Sequence, residues 1–263
     1  MSTEQKEMSF FDHLEELRWR IFRTGGVVLL FSLFAFVFKG FVFDNIIFAP
    51  TYSDFIAYEY WCDLINYLGL PISLCLGNLD FIIINTEMAG QFMVHIKIAM
   101  SIGVIIAFPY LVWELWRFIS PGLHNEEVRA SRKAIMGSAI LFFIGVLFGY
   151  YVLTPFSLDF LSKYNVSSIV TNTFTLTNYI SFISTMVLAS GIMFQLPMAV
   201  FLLATMNIIT ARMMREYWRY ALIICIILSA IITPPDVASM MMVSIPLFGL
   251  YLISILVAQR VNP

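Results

Sequence analysis

Asp12, Glu16 and Arg20 follow one another at four-residue intervals just ahead of the first long apolar run, in a chain whose Lys, Arg, Asp and Glu make up only 12 per cent of residues. On a helix this spacing lines one face, while Phe10, Leu14, Leu17 and Ile21 form an apolar stripe along another. Ser9 and Asp12 open the segment as a capping box. The undemanding reading is an amphipathic helix lying on a membrane surface, whose Glu16–Arg20 pair contributes roughly 0.2–0.5 kcal/mol. A second acidic pair, Glu126 and Glu127, lies in "LWRFISPGLHNEEVRASRK". There Pro121-Gly122 breaks the chain and a helix restarts with Asn125 as its cap. Acids in that first turn complement the macrodipole by about 0.3–1 kcal/mol. The demanding reading is a carboxylate pocket for a cationic partner. Taken separately, neither acidic site decides between the two.

Other chemistry is hard to assemble. The sequence holds no H-E-x-x-H, no Cys/His cluster at ligand spacing and no G-x-x-x-x-G-K-[ST], which leaves a metal centre, a bound cofactor and a P-loop without support. His13, His95 and His124 are scattered, and no local motif pairs one with a nucleophile, so the chain reads as a non-enzyme. Neither cofactor nor nucleic acid is expected. Three polar residues stand in or beside apolar runs. Gln195 precedes Pro197 by two positions; its amide, left unpaired in lipid, would cost about 2–7 kcal/mol. It bonds either to carbonyls freed by Pro197 or to another membrane helix. Lys97 reads as a snorkelling side chain, and Asp236 as the cap of the last apolar run.

The elements that carry these residues are membrane helices. Hydrophobic residues make up 60 per cent of the chain and mean hydropathy is +0.86, which excludes an ordinary soluble domain. Spans of about 20 apolar residues are predicted at 24–43, 92–113, 134–156, 179–206, 220–233 and 237–258. All must be helical, because backbone in lipid cannot leave its polar groups unpaired. Bases in the successive segments run 4, 1, 4, 1, 3, 0, 1, when Lys39 at the outer end of the first span is counted with the loop that follows it. That alternation follows the positive-inside rule with both termini cytoplasmic. The expected fold is all-α with six transmembrane helices, the last two short. The chain divides into a tail with an amphipathic helix (1–23), a six-span domain (24–258) and a C-terminal tail (259–263). The first span lacks a small-residue cleavage site and is not read as a signal peptide.

Two stretches depart from a plain bundle. The loop at 44–91 is rich in aromatic residues and is predicted to fold onto the helix ends as a cap of short helices with an extended piece at 80–85. It carries Cys62 and Cys75, which in an oxidising compartment either close a disulfide or stay idle thiols; Cys225 falls in a span and packs. Ala221 to Ile232 offers 12 residues, apolar but for Ser229, about 18 Å of helix against a core of roughly 30 Å. The bilayer must thin there, or water must enter.

In order along the chain, "HLEELRWR", "FAP", "EMAGQFMVHIKIA", "FPYLVWELWRFISPGLHNEE", "FFIGVLFGYYVLTP", "FQLP" and "TPPD" resemble the TatC family, the six-span core of the twin-arginine protein translocase, over about residues 9 to 258. The resemblance implies a multi-pass protein of the bacterial inner (cytoplasmic) membrane that receives the Arg-Arg signal peptides of folded cargo. It also implies TatA- or TatB-like single-span partners in an oligomeric complex. On the family pattern the accepting carboxylates correspond to Glu16 and Glu127, with Leu17, Arg18, Arg20 and Phe118 lining or supporting that surface. The chemistry agrees, since a carboxylate takes a guanidinium through two parallel bonds that an ammonium cannot reproduce. Pro50, Pro155 and Asp236 match structural motif positions, and Tyr150 matches a further one that is grouped with Gln195 as an intramembrane polar residue serving partner docking. At Gln195 relatives carry Glu or Gln, on a face associated with the single-span partners. The contrasting reading is a six-span ion-coupled transporter or channel. It would need titratable groups aligned along a path, for which Lys97, Glu114, His95 and Asp236 are the candidates.

Overall fold

The computed structural model describes residues 10–67, 69, 81–119, 125–165, 167, 172–233 and 237–261; of these, the side chains of 10–13, 64, 119, 125–134, 238 and 261 lie outside the description. Helix α1 (Phe10–Val37) carries the charged tail and the first apolar run as one continuous rod. Then come α2 (Lys39–Val42), a π-helical stretch (Phe43–Ile47), a 3-10 turn (Ala49–Thr51) and α3 (Ile56–Tyr67). Strand β1 (Ile82–Ile84) falls inside the predicted extended piece and leads to α4 (Gly90–Ile119). Next are α5 (Asn125–Phe148), a second π-helical stretch (Gly149–Leu153), α6 (Thr154–Lys163) and β2 (Thr173–Thr175). The chain ends with α7 (Leu176–Met193), α8 (Leu196–Thr205), α9 (Ala211–Glu216), α10 (Trp218–Ile232) and α11 (Val237–Val261).

Five helical stretches are long and apolar enough to cross a bilayer: Leu14–Val37, Gly90–Phe118, Ile135–Lys163, Leu176–Thr205 and Ser239–Arg260. The remaining predicted span corresponds to α10, whose 15 residues reach about 22 Å. The fourth span is not one straight helix. It breaks at Phe194-Gln195, where Pro197 follows in the first turn of α8 and cannot continue the ladder of α7.

Helices α1 and α4 lie antiparallel and set the frame for the polar residues. At one end Arg20 meets Glu114; midway Gly103 faces Ser32; at the other end the Phe36 and His95 rings stack 3.8 Å apart. A Cβ on Gly103 would stand 2.0 Å from Ser32 Oγ, so only glycine lets the two rods approach this closely. Gly145 plays the same part between α5 and α7, where a Cβ would lie 2.7 Å from the Ser190 carbonyl oxygen. The main core gathers Val94 and Ile98 of α4, Leu158 of α6 and Tyr179, Ile180 and Ile183 of α7 around Val42 and Ile47. A second cluster locks α8, α9 and α11 together through Val200, Ala204, Met214 and Ile255.

The end of the molecule opposite Arg20 is closed by tyrosines. The turn at 46–50 has backbone carbonyls with no helical partners, and three phenols donate to them. Tyr150 bonds Ile46, Tyr179 bonds Ile47 at 2.8 Å, and Tyr58 bonds Pro50 at 2.7 Å. Burial, reinforced by the Asp159 carboxylate, pushes the Tyr58 phenol far above its usual range and keeps it a donor. Pro155 has no N–H to return to the turn before it, and there the helix widens into its π-helical stretch, with the Thr154 hydroxyl donating to the Gly149 carbonyl at 2.8 Å. Pro50 and Pro155 are both fully buried. In the cap, Cys62 is disulfide-bonded, whereas Cys225 is free and buried; Cys75 lies outside the described residues. Strands β1 and β2 pair in parallel, a contact the sequence reading did not anticipate because three residues carry no periodic signal.

Candidate functional site

The polar end is organised by a single guanidinium. Arg20 sits on α1 with 9 per cent of its surface exposed, facing the last turns of α4. Its Nε donates to Glu16 Oε1 at 3.2 Å, and Nη2 donates to the same oxygen. Nη1 donates to Glu114 Oε2 at 3.0 Å and to the Glu114 carbonyl at 3.2 Å, while Nη2 also reaches the Arg117 carbonyl at 3.3 Å. A helix leaves its last carbonyls without partners and carries partial negative charge there, so a cation at the end of α4 is favoured twice. Glu114 is buried at 3 per cent exposure, and its second oxygen accepts from the Tyr110 hydroxyl at 2.9 Å. The Arg117 guanidinium lies 5.6 Å from the Trp113 ring centre.

Glu16 differs from Glu114 in being open. Its side chain is 33 per cent exposed, and among the described residues only Arg20 donates to it, at Oε1. Its other carboxylate oxygen, Oε2, accepts from none of the described residues.

A model of the family "Sec-independent protein translocase protein (TatC)" matches residues 12–246. The chain belongs to the TatC family. It is 35 per cent identical, over the whole of its length and 99 per cent of the relative's, to the Sec-independent protein translocase protein TatC of Blattabacterium sp. subsp. Periplaneta americana. The TatC protein of Helicobacter pylori (strain 26695) is 33 per cent identical over 95 per cent of this chain and 87 per cent of its own length. Among solved structures, the crystal structure of the twin arginine translocase receptor TatC superposes with a TM-score of 0.74 at 29 per cent identity, covering 95 per cent of this chain and 100 per cent of that one. A second TatC crystal structure, in DDM, gives 0.72 at 31 per cent identity over 93 and 98 per cent. This TatC chain is thus a mostly helical, multi-pass component of a Sec-independent protein translocase, a family of transport subunits and not of enzymes.

Of the residues expected to matter in a TatC protein, Glu16 and Arg20 come together at the end of α4, where Phe118 occupies the last turn. Leu17 is half-buried on the same helix. Arg18 instead makes an exposed pair with Glu15 at 3.3 Å, of the kind that contributes little. Glu127 lies in the first turn of α5, with its side chain outside those described. Asp236, with Pro234 and Pro235, lies outside the described residues. The Gln195 amide goes neither to carbonyls freed by Pro197 nor unpaired: Nε2 donates to the Ser138 carbonyl at 3.0 Å and Oε1 accepts from the Ser138 hydroxyl at 2.5 Å. Sequence reasoning missed Ser138 in that role, and missed Tyr110 and Glu114 as parts of the Arg20 site. An acid four residues after a tyrosine inside the apolar run "AFPYLVWELW" was the available signal. Of the four titratable groups that a transporter would align, the three that fall among the described residues are tied elsewhere. Lys97 donates to Ser181 at 2.8 Å, His95 Nε2 lies 3.0 Å from the Phe36 carbonyl, and Glu114 holds Arg20.

Proposed function

We propose that this chain is the receptor and organising core of a twin-arginine translocase, taking the Arg-Arg signal peptides of folded cargo at the Arg20 end. The observation that carries this reading is the open oxygen of Glu16, presented beside the end of α4 by a guanidinium that has no donor left for a ligand. Only five residues separate α4 from α5, so Glu127 belongs to the same end of the molecule and supplies the second carboxylate. Two acids at fixed separation read two guanidinium groups and reject ammonium groups, which cannot make paired bonds. Arg20 acts behind the surface, while Leu17, Arg18 and Phe118 line it.

The same reading sets the topology. Both termini face the cytoplasm of a bacterial inner membrane, six helices cross, and the segment 1–23 is continuous with the first span. The cap of residues 44–91 lies outside, and α10 thins or wets the bilayer beside it. TatA- or TatB-like partners dock along the face bearing Gln195. That amide must exchange its Ser138 bonds for intermolecular ones, so its own share of docking is small, about 0.6 kcal/mol on the scale of such bonds in lipid. Tyr150, whose hydroxyl is spent on Ile46, serves the cap. The deciding experiment titrates an Arg-Arg signal peptide against the full chain in lipid nanodiscs. Glu16→Ala and Glu127→Ala each weaken binding, and the double variant loses less than the sum of the two. Wild-type affinity in both single variants would refute the receptor reading.

A further inference from the structure

The Arg20 site poses a difficulty for any ligand that brings an arginine of its own. A guanidinium has five N–H donors, and Arg20 commits all five: two to Glu16 Oε1, one to Glu114 Oε2, and one each to the carbonyls of Glu114 and Arg117. If Glu16 were its only counter-ion, the two charges would cancel and little attraction would remain for a second cation. Glu114 changes that balance. Both of its oxygens accept, one from Arg20 and one from the Tyr110 hydroxyl. Counted by formal charge, Arg20 is paired with two carboxylates. The cluster then holds two negative charges and one positive.

The two acids divide the work by depth. Glu114's side chain is 4 per cent exposed and Glu16's 33 per cent. A buried pair of opposite charges interacts strongly because little solvent screens it, whereas a half-exposed carboxylate remains accessible. We propose that Glu114 is the internal counter-ion of Arg20, so that Glu16 keeps a full unit of negative charge and an uncommitted oxygen for an arginine of the signal peptide. Glu114 is a positioning residue: it never touches the ligand and acts wholly through Arg20 and Glu16. The inference rests on the reading of Glu16 as an acceptor.

The test uses the full chain in nanodiscs and a synthetic Arg-Arg signal peptide, with Glu16→Ala, Glu114→Gln and the two combined. Glu114→Gln keeps an acceptor for Arg20 but removes the charge, so Glu16 alone must neutralise the arginine. Peptide affinity then falls roughly tenfold, the scale of losing one partner from a desolvated charge cluster. In the Glu16→Ala background the same substitution changes affinity by less than about twofold, because the path to the ligand is already cut. A purely structural role for Glu114 would produce equal losses in both backgrounds, and that result overturns the inference while leaving the receptor reading intact. Unchanged affinity in Glu114→Gln overturns it equally. If Glu16→Ala binds like the wild type, the receptor reading and this inference fall together. Should Glu114→Gln not reach the membrane folded, Glu114→Asp carries the test. It withdraws the charge from Arg20 by one methylene, and its expected loss of about threefold must likewise vanish in the Glu16→Ala background.

Discussion

The two ends of the molecule face the same problem, backbone carbonyls left over where the chain turns, and meet it with different chemistry. At the cap, neutral phenols of Tyr58, Tyr150 and Tyr179 donate to the carbonyls of Pro50, Ile46 and Ile47. At the opposite end one guanidinium, Arg20, donates to the carbonyls of Glu114 and Arg117. A phenol satisfies one acceptor and leaves no charge behind. A guanidinium satisfies several but requires carboxylates, and two of them surround it. The phenol bonds of the cap thus add no charge, while the cluster of Arg20, Glu16 and Glu114 holds one more carboxylate than guanidinium. On the receptor reading proposed above, that difference separates an end that only has to hold from an end that also has to bind.

The comparison breaks most visibly at Arg20. Arg20→Ala removes the cation from two acids, one of them buried, and is expected to destabilise the fold by about 3–5 kcal/mol, the cost of stranding one partner of a buried pair. Denaturant titration of the purified chain in detergent reads this. A loss under about 1 kcal/mol would show that the arginine contributes little. At the cap, Tyr179→Phe leaves the Ile47 carbonyl buried without its donor and costs about 1–3 kcal/mol by the same measurement. Peptide binding is unaffected by that change, since the altered bond lies at the opposite end of the molecule from Arg20.

Salt sharpens the contrast. Raising ionic strength from about 0.01 M to 0.1 M shortens the Debye length from roughly 30 to 10 Å and lowers peptide affinity. The stability change caused by Tyr179→Phe does not move with salt. A salt-independent affinity would mean that the ligand is held by apolar contact and not by Glu16. The smallest effect is expected at Gln195, between the two ends. Gln195→Leu breaks both bonds to Ser138 and costs about 0.6 kcal/mol, with a ceiling near 1.7. Ser138→Ala costs less, because the Ser138 carbonyl still accepts from the amide, and adds little in the Gln195→Leu background. Full additivity of the two would show that the amide has another partner.

Much of the fold could be read in advance because its signals are local. Apolar runs of the right length mark the helices that cross, and the 20-residue arithmetic also marks α10 as short. The Glu16–Arg20 pairing follows from helical spacing alone. Glu114 could not be assigned its part that way, because its role depends on the antiparallel register of α1 against α4, which brings together residues 94 positions apart. Ser138 and Gln195 are 57 positions apart and equally invisible to periodicity. Tyr150 stands out by its family motif, but Tyr58 and Tyr179 carry no signal until the turn at 46–50 is placed beneath them. One signal was legible and unused: Gly145 and Gly149 stand four apart in an apolar run, the spacing by which helices in lipid approach closely.

The short parallel ladder of Ile82, Ile83 and Ile84 against Thr173, Phe174 and Thr175 has a mechanical consequence. β1 runs within six residues of α4, and β2 passes directly into α7. The ladder thus rivets the starts of two long helices that belong to distant parts of the chain. Sliding one past the other would break every backbone bond in the ladder at once, whereas pivoting about it breaks none. α4 extends some 30 residues from this rivet, a lever arm of about 45 Å. A tilt of a few degrees is negligible at the cap and becomes several ångströms at the far tip. Any tilt of α4 about the ladder therefore displaces the Arg20 end most.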